Sequence, residues 1–400
     1  ICQFAIANTL LLFTYIDVEA IMATIGILFE RSTHHARECF RGICAFARQH
    51  RYDWRFHFGQ LPETPQKSGD LVGLIVASGD ESFSQRVHAT GLPSVNLSSA
   101  CYDPYLIQIW LDDVAIGRIA AAHLHQRGFR RWAYFGISKH YGARKRRLGF
   151  IQGLAELGYA RDTLVVDLPG WENESGKVAD ATLLAAALKT WQQPIGCFAF
   201  EDDRGAQVLR ECRKAGIEIP RQVGVIGARN DDYVCETTFP TLSSIDIGQR
   251  KRGFKAAAVL ADLIDGKPVA KPVPPVSPGG LVVRQSTGPA KTDDPMVNKA
   301  VAFIHTHARQ PISVTEVVEH VATNRRTLEM RFQSVLNCSP HRHIQHERIE
   351  VVKQLLLTTD LDTQGIADAA GFRNRAHMST LFRKITGQTM MQFRGNSSVT

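Results

Sequence analysis

The sequence predicts a two-lobed α/β domain over residues 23–285, followed by an all-α domain over 296–400 that carries two helix-turn-helix units. Three observations carry this. Short apolar runs alternate with amphipathic helical stretches for about 260 residues, the pattern of parallel sheets with helical crossovers. A segment rich in proline and glycine then breaks the alternation. Beyond it every periodic segment is helical, and the same helix–turn–helix layout occurs twice.

The elements follow in chain order. Residues 1–22 hold an apolar run, Leu10 to Phe13, that Asp17 and Glu19 cut short before it could span a bilayer. They read as a leader outside the folded domains, either upstream sequence ahead of Met22 or an unusual genuine leader. Strands are expected at Ile25–Phe29, Trp54–Phe58, Gly73–Ala77 and Ser94–Leu97, then at Trp132–Phe135, Thr163–Asp167, Cys197–Phe200 and Gly224–Ile226. Helical periodicity marks Ala36–Gln49, Val114–Gln126, Arg147–Leu157, Ala179–Thr190, Arg204–Ala215 and Gly248–Ile264. Two sheets of comparable size place a cleft between lobes. The stretch from Gly266 to Gly280 is too rich in Pro and Gly for helix, Leu281–Arg284 is a closing strand, and 286–295 reads as a linker.

In the helical domain, Ser313 and Glu316 have capping-box spacing ahead of Val314, Val317, Val318 and Val321. After a turn at Ala322, Asn324 caps a second helix whose inward face is Leu328, Phe332 and Val335. Its outward face carries Arg325, Arg326 and Glu329. In the second unit Gly371 supplies the turn, Asn374 caps, Met378, Leu381 and Phe382 point inward, and Arg375 and Thr380 point out. A helix so presented enters the major groove. There arginine pairs bidentately with guanine and glutamate accepts from cytosine. An amphipathic helix over 340–357 spaces the two units. Its His341, His343 and His346 are read as surface residues, and no metal site is expected.

Charge agrees with this. The net charge is +8, and residues 296–400 contribute 13 Lys/Arg against 8 Asp/Glu, an excess of 5. Phosphate neutralisation requires such an excess. Eight cysteines stand apart with no Cys-x-x-Cys, as buried small side chains of a reducing cytoplasm do. Hydrolase, phosphate-loop, dinucleotide and zinc-protease motifs are missing, so the chain is not read as an enzyme, and no cofactor is expected.

Residues 312–394 resemble the AraC/XylS-type DNA-binding domain: Ile366, Ala367, Gly371 and Phe372, Phe382 to Lys384, and the ending from Gly387 to Arg394 carry the likeness across both units and the spacer. His377 and Met378 stand where that family usually has aromatics. Residues 23–285 resemble the periplasmic-binding-protein-like effector domain of LacI/GalR-type repressors, through Arg37 and Gly42, Asp112 and Asp113, Arg146 to Phe150, Phe200 to Asp202, and Val225 to Gly227. The order of the two modules is that of a bacterial group of regulators that respond to xylose.

The resemblance implies a sugar effector, xylose first, bound through Arg37, Arg146, Asp202 and Asn230. Carboxylates and guanidinium groups at strand ends suit paired hydroxyls. Plainer roles are a salt bridge for Arg146, a helix cap for Asp202 and an outward position for Arg37. The family commonly has an acid two positions after Gly227, and here that position is Arg229. The resemblance also implies operator DNA as partner, pairing of two chains through the N-terminal lobe, RNA polymerase as a further partner, and a cytoplasmic place with no membrane contact.

Overall fold

The computed structural model describes residues 23–397 apart from 62–70, 138, 160–164, 168–186, 189, 191–193, 289–291, 293, 337, 360 and 387. The expected leader and most of the Ala179–Thr190 helix lie outside the described residues.

The first lobe holds β1 (Thr24–Leu28), α1 (His34–Gln49), β2 (Arg55–Phe58), β3 (Leu71–Val76), α2 (Glu81–Ala89), β4 (Ser94–Asn96) and β5 (Ile107–Gln108). Its sheet has the order β2-β1-β3-β4-β5 with all pairs parallel. The second lobe holds α3 (Asp113–Gln126), β6 (Trp132–Phe135), α4 (Tyr141–Glu156), β7 (Val165–Asp167), β8 (Ile195–Ala199), α5 (Asp202–Lys214), β9 (Val223–Ala228), α6 (Asp232–Thr237) and β10 (Ser243–Asp246). After α7 (Gln249–Ile264) comes β11 (Gly280–Val282), which joins β10 antiparallel at the edge of a sheet ordered β11-β10-β9-β8-β6-β7. Strands β8 and β9 are buried at every residue, which is why they appear in the sequence as unbroken apolar runs without alternation.

The lobes are joined by chain crossings. Helix α7 returns to the first lobe and packs on α1, β3 and β4. Backbone bonds bind the crossings together: Asp112 N–H donates to the Val276 carbonyl, and Val276 N–H to that of Trp110, both at 2.8 Å. Strands β5 and β10 and helices α2 and α6 were not expected from the pattern: β5 has only two residues, β10 opens on Ser243 and Ser244 rather than on an apolar run, and six to nine residues of helix give too few periods to detect.

The helical domain holds α8 (Pro295–His307), α9 (Val314–His320), α10 (Arg325–Leu336), α11 (Pro340–Thr358), α12 (Thr363–Ala369), α13 (Arg375–Thr386) and α14 (Met390–Ser397). Two cores form on either side of α11. Val297, Ile304, Val317, Leu328, Phe332 and Ile344 fill one. Ile349, Val352, Ile366, Met378, Phe382 and Phe393 fill the other. The segment expected to be a linker starts differently. Ser286 and Thr287 are fully buried, with Ser286 Oγ donating to the Val225 carbonyl at 2.6 Å and Thr287 Oγ1 donating to Ser243 Oγ at 2.7 Å. Their hydroxyls bond groups of β9 and β10, so these two residues are part of the second lobe.

Candidate cleft site and helix-turn-helix interface

A cavity of about 260 Å³ opens between the lobes. Its floor is built where α3 meets α4. Gly117 and Gly149 let the two helices touch: a Cβ on either would lie 2.1–2.2 Å from a carbonyl of the other helix. That approach sets Asp113, first in α3, against Arg146 on α4, with Nε donating to Oδ1 at 2.6 Å. Arg146 Nη1 donates to the Phe200 carbonyl at 2.6 Å, and its guanidinium lies 4.5 Å from the Phe200 ring centre. Both members of the pair are buried. Arg252, on α7, is also buried, with Nε on the Ile109 carbonyl at 2.7 Å and Nη2 on Ser99 Oγ at 3.0 Å. Burial lowers its pKa to about 10. Arg229 completes the wall from the end of β9, paired with Glu201.

His35 and His140 line the same cavity. Burial holds His35 well below its ordinary pKa, and Arg229, Arg252 and Arg146 push it the same way. Its Nδ1 is buried and has no protein partner. Burial and Arg146 bring His140 down to about 4, and its Nδ1 accepts from Ala143 N–H as the cap of α4. Both rings are therefore neutral near pH 7.

Of the four residues singled out from the sequence, Arg146 is on the wall and the other three are not. Arg37 is exposed and donates to the Ser32 carbonyl, because its position on α1 faces solvent. Asp202 is 1% exposed and structural, although Glu201, not Asp202, is the N-cap residue of α5. Its Oδ1 takes the Ser244 hydroxyl at 2.5 Å and its Oδ2 the Asp231 N–H at 2.8 Å, and burial raises it to about 6. Asn230 spends its amide oxygen on Arg284, and its N–H donates to Ser244 Oγ. His35, His140, Gln249 and Arg252 were missed. Nothing in their local sequence distinguishes them, since they meet only through the lobe crossings.

In the helical domain the outward residues fall as expected. Arg325, Arg326, Arg375 and Thr380 are exposed, and Glu329 is half-exposed and bound to Arg325 Nε at 2.8 Å across one helical turn. Ser313 and Glu316 form the full capping box. Asn324 caps α10 through Thr327 N–H at 2.8 Å, and Asn374 caps α13 through Ala376 N–H at 2.7 Å. The turn residues with left-handed backbone are Ala322 (φ 54°) and Gly371 (φ 69°), so these two positions correspond. Met330, 56% exposed on α10, joins the outward face, and sequence reasoning passed over it because an apolar residue signals core. His343 is not a surface residue: it is largely buried, burial lowers it to about 4, and its Nε2 has no partner.

The two domains meet at α11. Glu347 receives Arg127 Nη1, from the end of α3, at 2.6 Å, and bonds His305 Nδ1, from α8, at 2.9 Å. Burial alone would raise Glu347, but Arg127 and the His305 bond hold it well below the usual carboxylate range. His123 Nε2 lies 2.7 Å from Thr287 Oγ1 on the same side. Among the described residues no helix is long and apolar enough to cross a membrane.

Both domains have counterparts among known proteins. A periplasmic binding protein-like domain matches residues 121–287, and a helix-turn-helix domain matches 317–396. The xylose operon regulatory protein of Haemophilus influenzae is 26% identical over 387 residues, covering 93% of this chain and 98% of that protein. That of Escherichia coli K12 is 25% identical over 389 residues, covering 94% and 97%. The solved structure of a xylose-binding transcription activator, XylR, superposes with a TM-score of 0.59 at 26% identity, covering 94% of this chain and 98% of that one. The chain is a DNA-binding transcription regulator and not an enzyme, similar over nearly its whole length to the xylose operon regulators, with a periplasmic binding protein-like domain followed by a helix-turn-helix domain.

Proposed function

We propose that a small sugar held in the cleft between the lobes controls how the helix-turn-helix domain engages operator DNA. The observation that carries this is the wall itself: buried guanidinium groups and neutral imidazoles converge on a monosaccharide-sized cavity at a lobe junction. The names of the full-length relatives support xylose as the first ligand to try. Arg229, on the wall where related effector domains commonly have an acid, favours a different sugar as a second reading.

Arg146 is the residue assigned to the ligand. Arg325, Arg326, Glu329, Arg375 and Thr380 are assigned to base edges in two successive major grooves, one per unit. Two chains pair through the first lobe, since linked modules gain from effective concentration on one operator. RNA polymerase is a further partner, and the cytoplasm is the place where operator and sugar meet. Ligand must favour one of two arrangements to exert control. Calorimetry with a panel of sugars, alone and with operator DNA present, tests this. Sugar binding that shifts operator affinity, and that is weakened in Arg146→Ala, supports the assignment. A chain that binds operator with no response to any sugar would overturn it.

A further inference from the structure

The wall of the cleft is rich in guanidinium groups and poor in carboxylates. Arg146, Arg229 and Arg252 line it, with His35 and the hydroxyls of Ser98 and Ser99. The nearby carboxylates do not line the wall and are engaged by protein partners. Asp113 holds Arg146, Glu201 is shared by Arg229 and Arg204 (3.4 Å), and Asp202 holds Ser244 and the Asp231 N–H. Among the described residues Glu30 is the one carboxylate lining the cavity, and it sits at an exposed position bonded to Ser32.

The guanidinium groups are not used up. Arg146 spends Nε and Nη1, Arg252 spends Nε and Nη2, and Arg229 spends Nη2. Among the described residues, Nη2 of Arg146, Nη1 of Arg252, and Nε and Nη1 of Arg229 have no protein partner. Arginine has no acceptor to offer a hydroxyl proton, whereas its planar fork matches the two oxygens of a carboxylate or phosphate. A neutral pentose meets this wall through hydroxyl dipoles alone, whereas an anion also meets the charge and the fork of a guanidinium.

Arg229 bears a second mark. Its φ is 124°, a region that side chains rarely occupy, and it is held there by its N–H donating to the Ile245 carbonyl at 2.8 Å. Backbone held in such a conformation costs on the order of 1–3 kcal/mol and clusters where a side chain must be aimed at a ligand. Both neighbouring histidines are kept neutral in the field of these arginines, so the wall does not gain further charge below neutral pH.

We infer that the effector is a sugar derivative bearing an anionic group, a carboxylate or a phosphate, and that Arg229 is the residue that selects for it. This rests on the cleft being the effector site. The test is calorimetry on the full chain with D-xylose and D-glucose, their aldonates, and their terminal phosphates. An aldonate or a phosphate binds at least tenfold tighter than its neutral parent, and which of the two does so identifies the anion. Arg229→Asp abolishes that preference, since aspartate removes the positive charge and supplies a hydroxyl acceptor. Arg229→Gln keeps an uncharged donor and lowers anion affinity at least tenfold, and an unchanged melting temperature in either variant establishes folding. Neutral sugars binding as tightly as both anionic forms, or a preference that survives both variants, overturns the inference and leaves the cleft reading standing. Binding of none of the six while another neutral sugar of the wider panel binds overturns the inference alone, and binding of no sugar at all, with operator binding intact, sinks the cleft reading and the inference together.

Discussion

Replacing Glu347 by alanine should uncouple the two domains. Its carboxylate and the Arg127 guanidinium are 7% and 6% exposed, and together with His305 they tie α11 to the end of α3 and to α8. At a charge separation of about 4 Å and an effective dielectric near 20, the pair interacts by about 4 kcal/mol. Much of that offsets the loss of water around two ions, so the intact pair adds little net stability. Removing one partner is different. Arg127 would stay buried without a counter-charge, at a cost of roughly 3–5 kcal/mol. Glu347→Gln also removes the counter-charge but keeps an acceptor, so it should cost less than alanine by about 1 kcal/mol. Scanning calorimetry on the full chain would read the alanine change as a fall on the order of 20 °C in the transition of the helical domain. Arg127→Ala and the double variant close a thermodynamic cycle. As a control, Arg331→Ala breaks the more exposed pair with Asp294 and should cost less than about 1 kcal/mol. A coupling energy below about 0.5 kcal/mol between positions 127 and 347 would refute this account of how the domains are held.

Three further outcomes are expected. Ala322→Gly should stabilise by about 1 kcal/mol, because alanine holds a left-handed backbone at an exposed turn, while Gly371→Ala should destabilise by more. Its Cβ would lie 2.6 Å from the Gln310 carbonyl, and equal effects in denaturant titrations would contradict the correspondence of the two turns. Stability should decline as pH falls below about 6.5, where the unfolded chain protonates His123 and His343 while their depressed folded pKa values keep them neutral. Glu347 adds a further loss below about 4.5, because its folded pKa is depressed and its contribution exists only above the unfolded value; a melting temperature that is flat from pH 7.5 to 5.5 would exclude the histidine contribution. Arg325→Ala, Arg326→Ala and Arg375→Ala should each cost roughly 1–3 kcal/mol in operator binding and relax one base position, as competition against single-base operator variants would show; uniform losses on all sequences would make them phosphate contacts.

The helix-turn-helix units were legible from the chain alone because everything that defines them is local. Ser313 meets Glu316 three residues away, Asn324 and Asn374 cap the helices that follow directly, and the buried Leu328, Phe332, Met378 and Phe382 recur at helical spacing. Strands β8 and β9 were legible for a similar reason, since burial on both faces leaves an unbroken apolar run. The cleft was not. Its wall joins His35, Arg146, Arg229 and Arg252, brought together by lobe crossings and by α7 returning to the first lobe, so no spacing in the sequence relates them. Asp202 shows the same limit from the other side: an acid after a strand end has the right type for a ligand contact, yet Ser244, 42 residues on, takes its oxygen first. Glu347 and Arg127, 220 residues apart, are ordinary surface charges until the domains dock. Local propensity and periodicity specify elements; which polar groups face a cavity, and which are consumed by protein partners, is decided by long-range packing and the competition for hydrogen bonds that burial enforces.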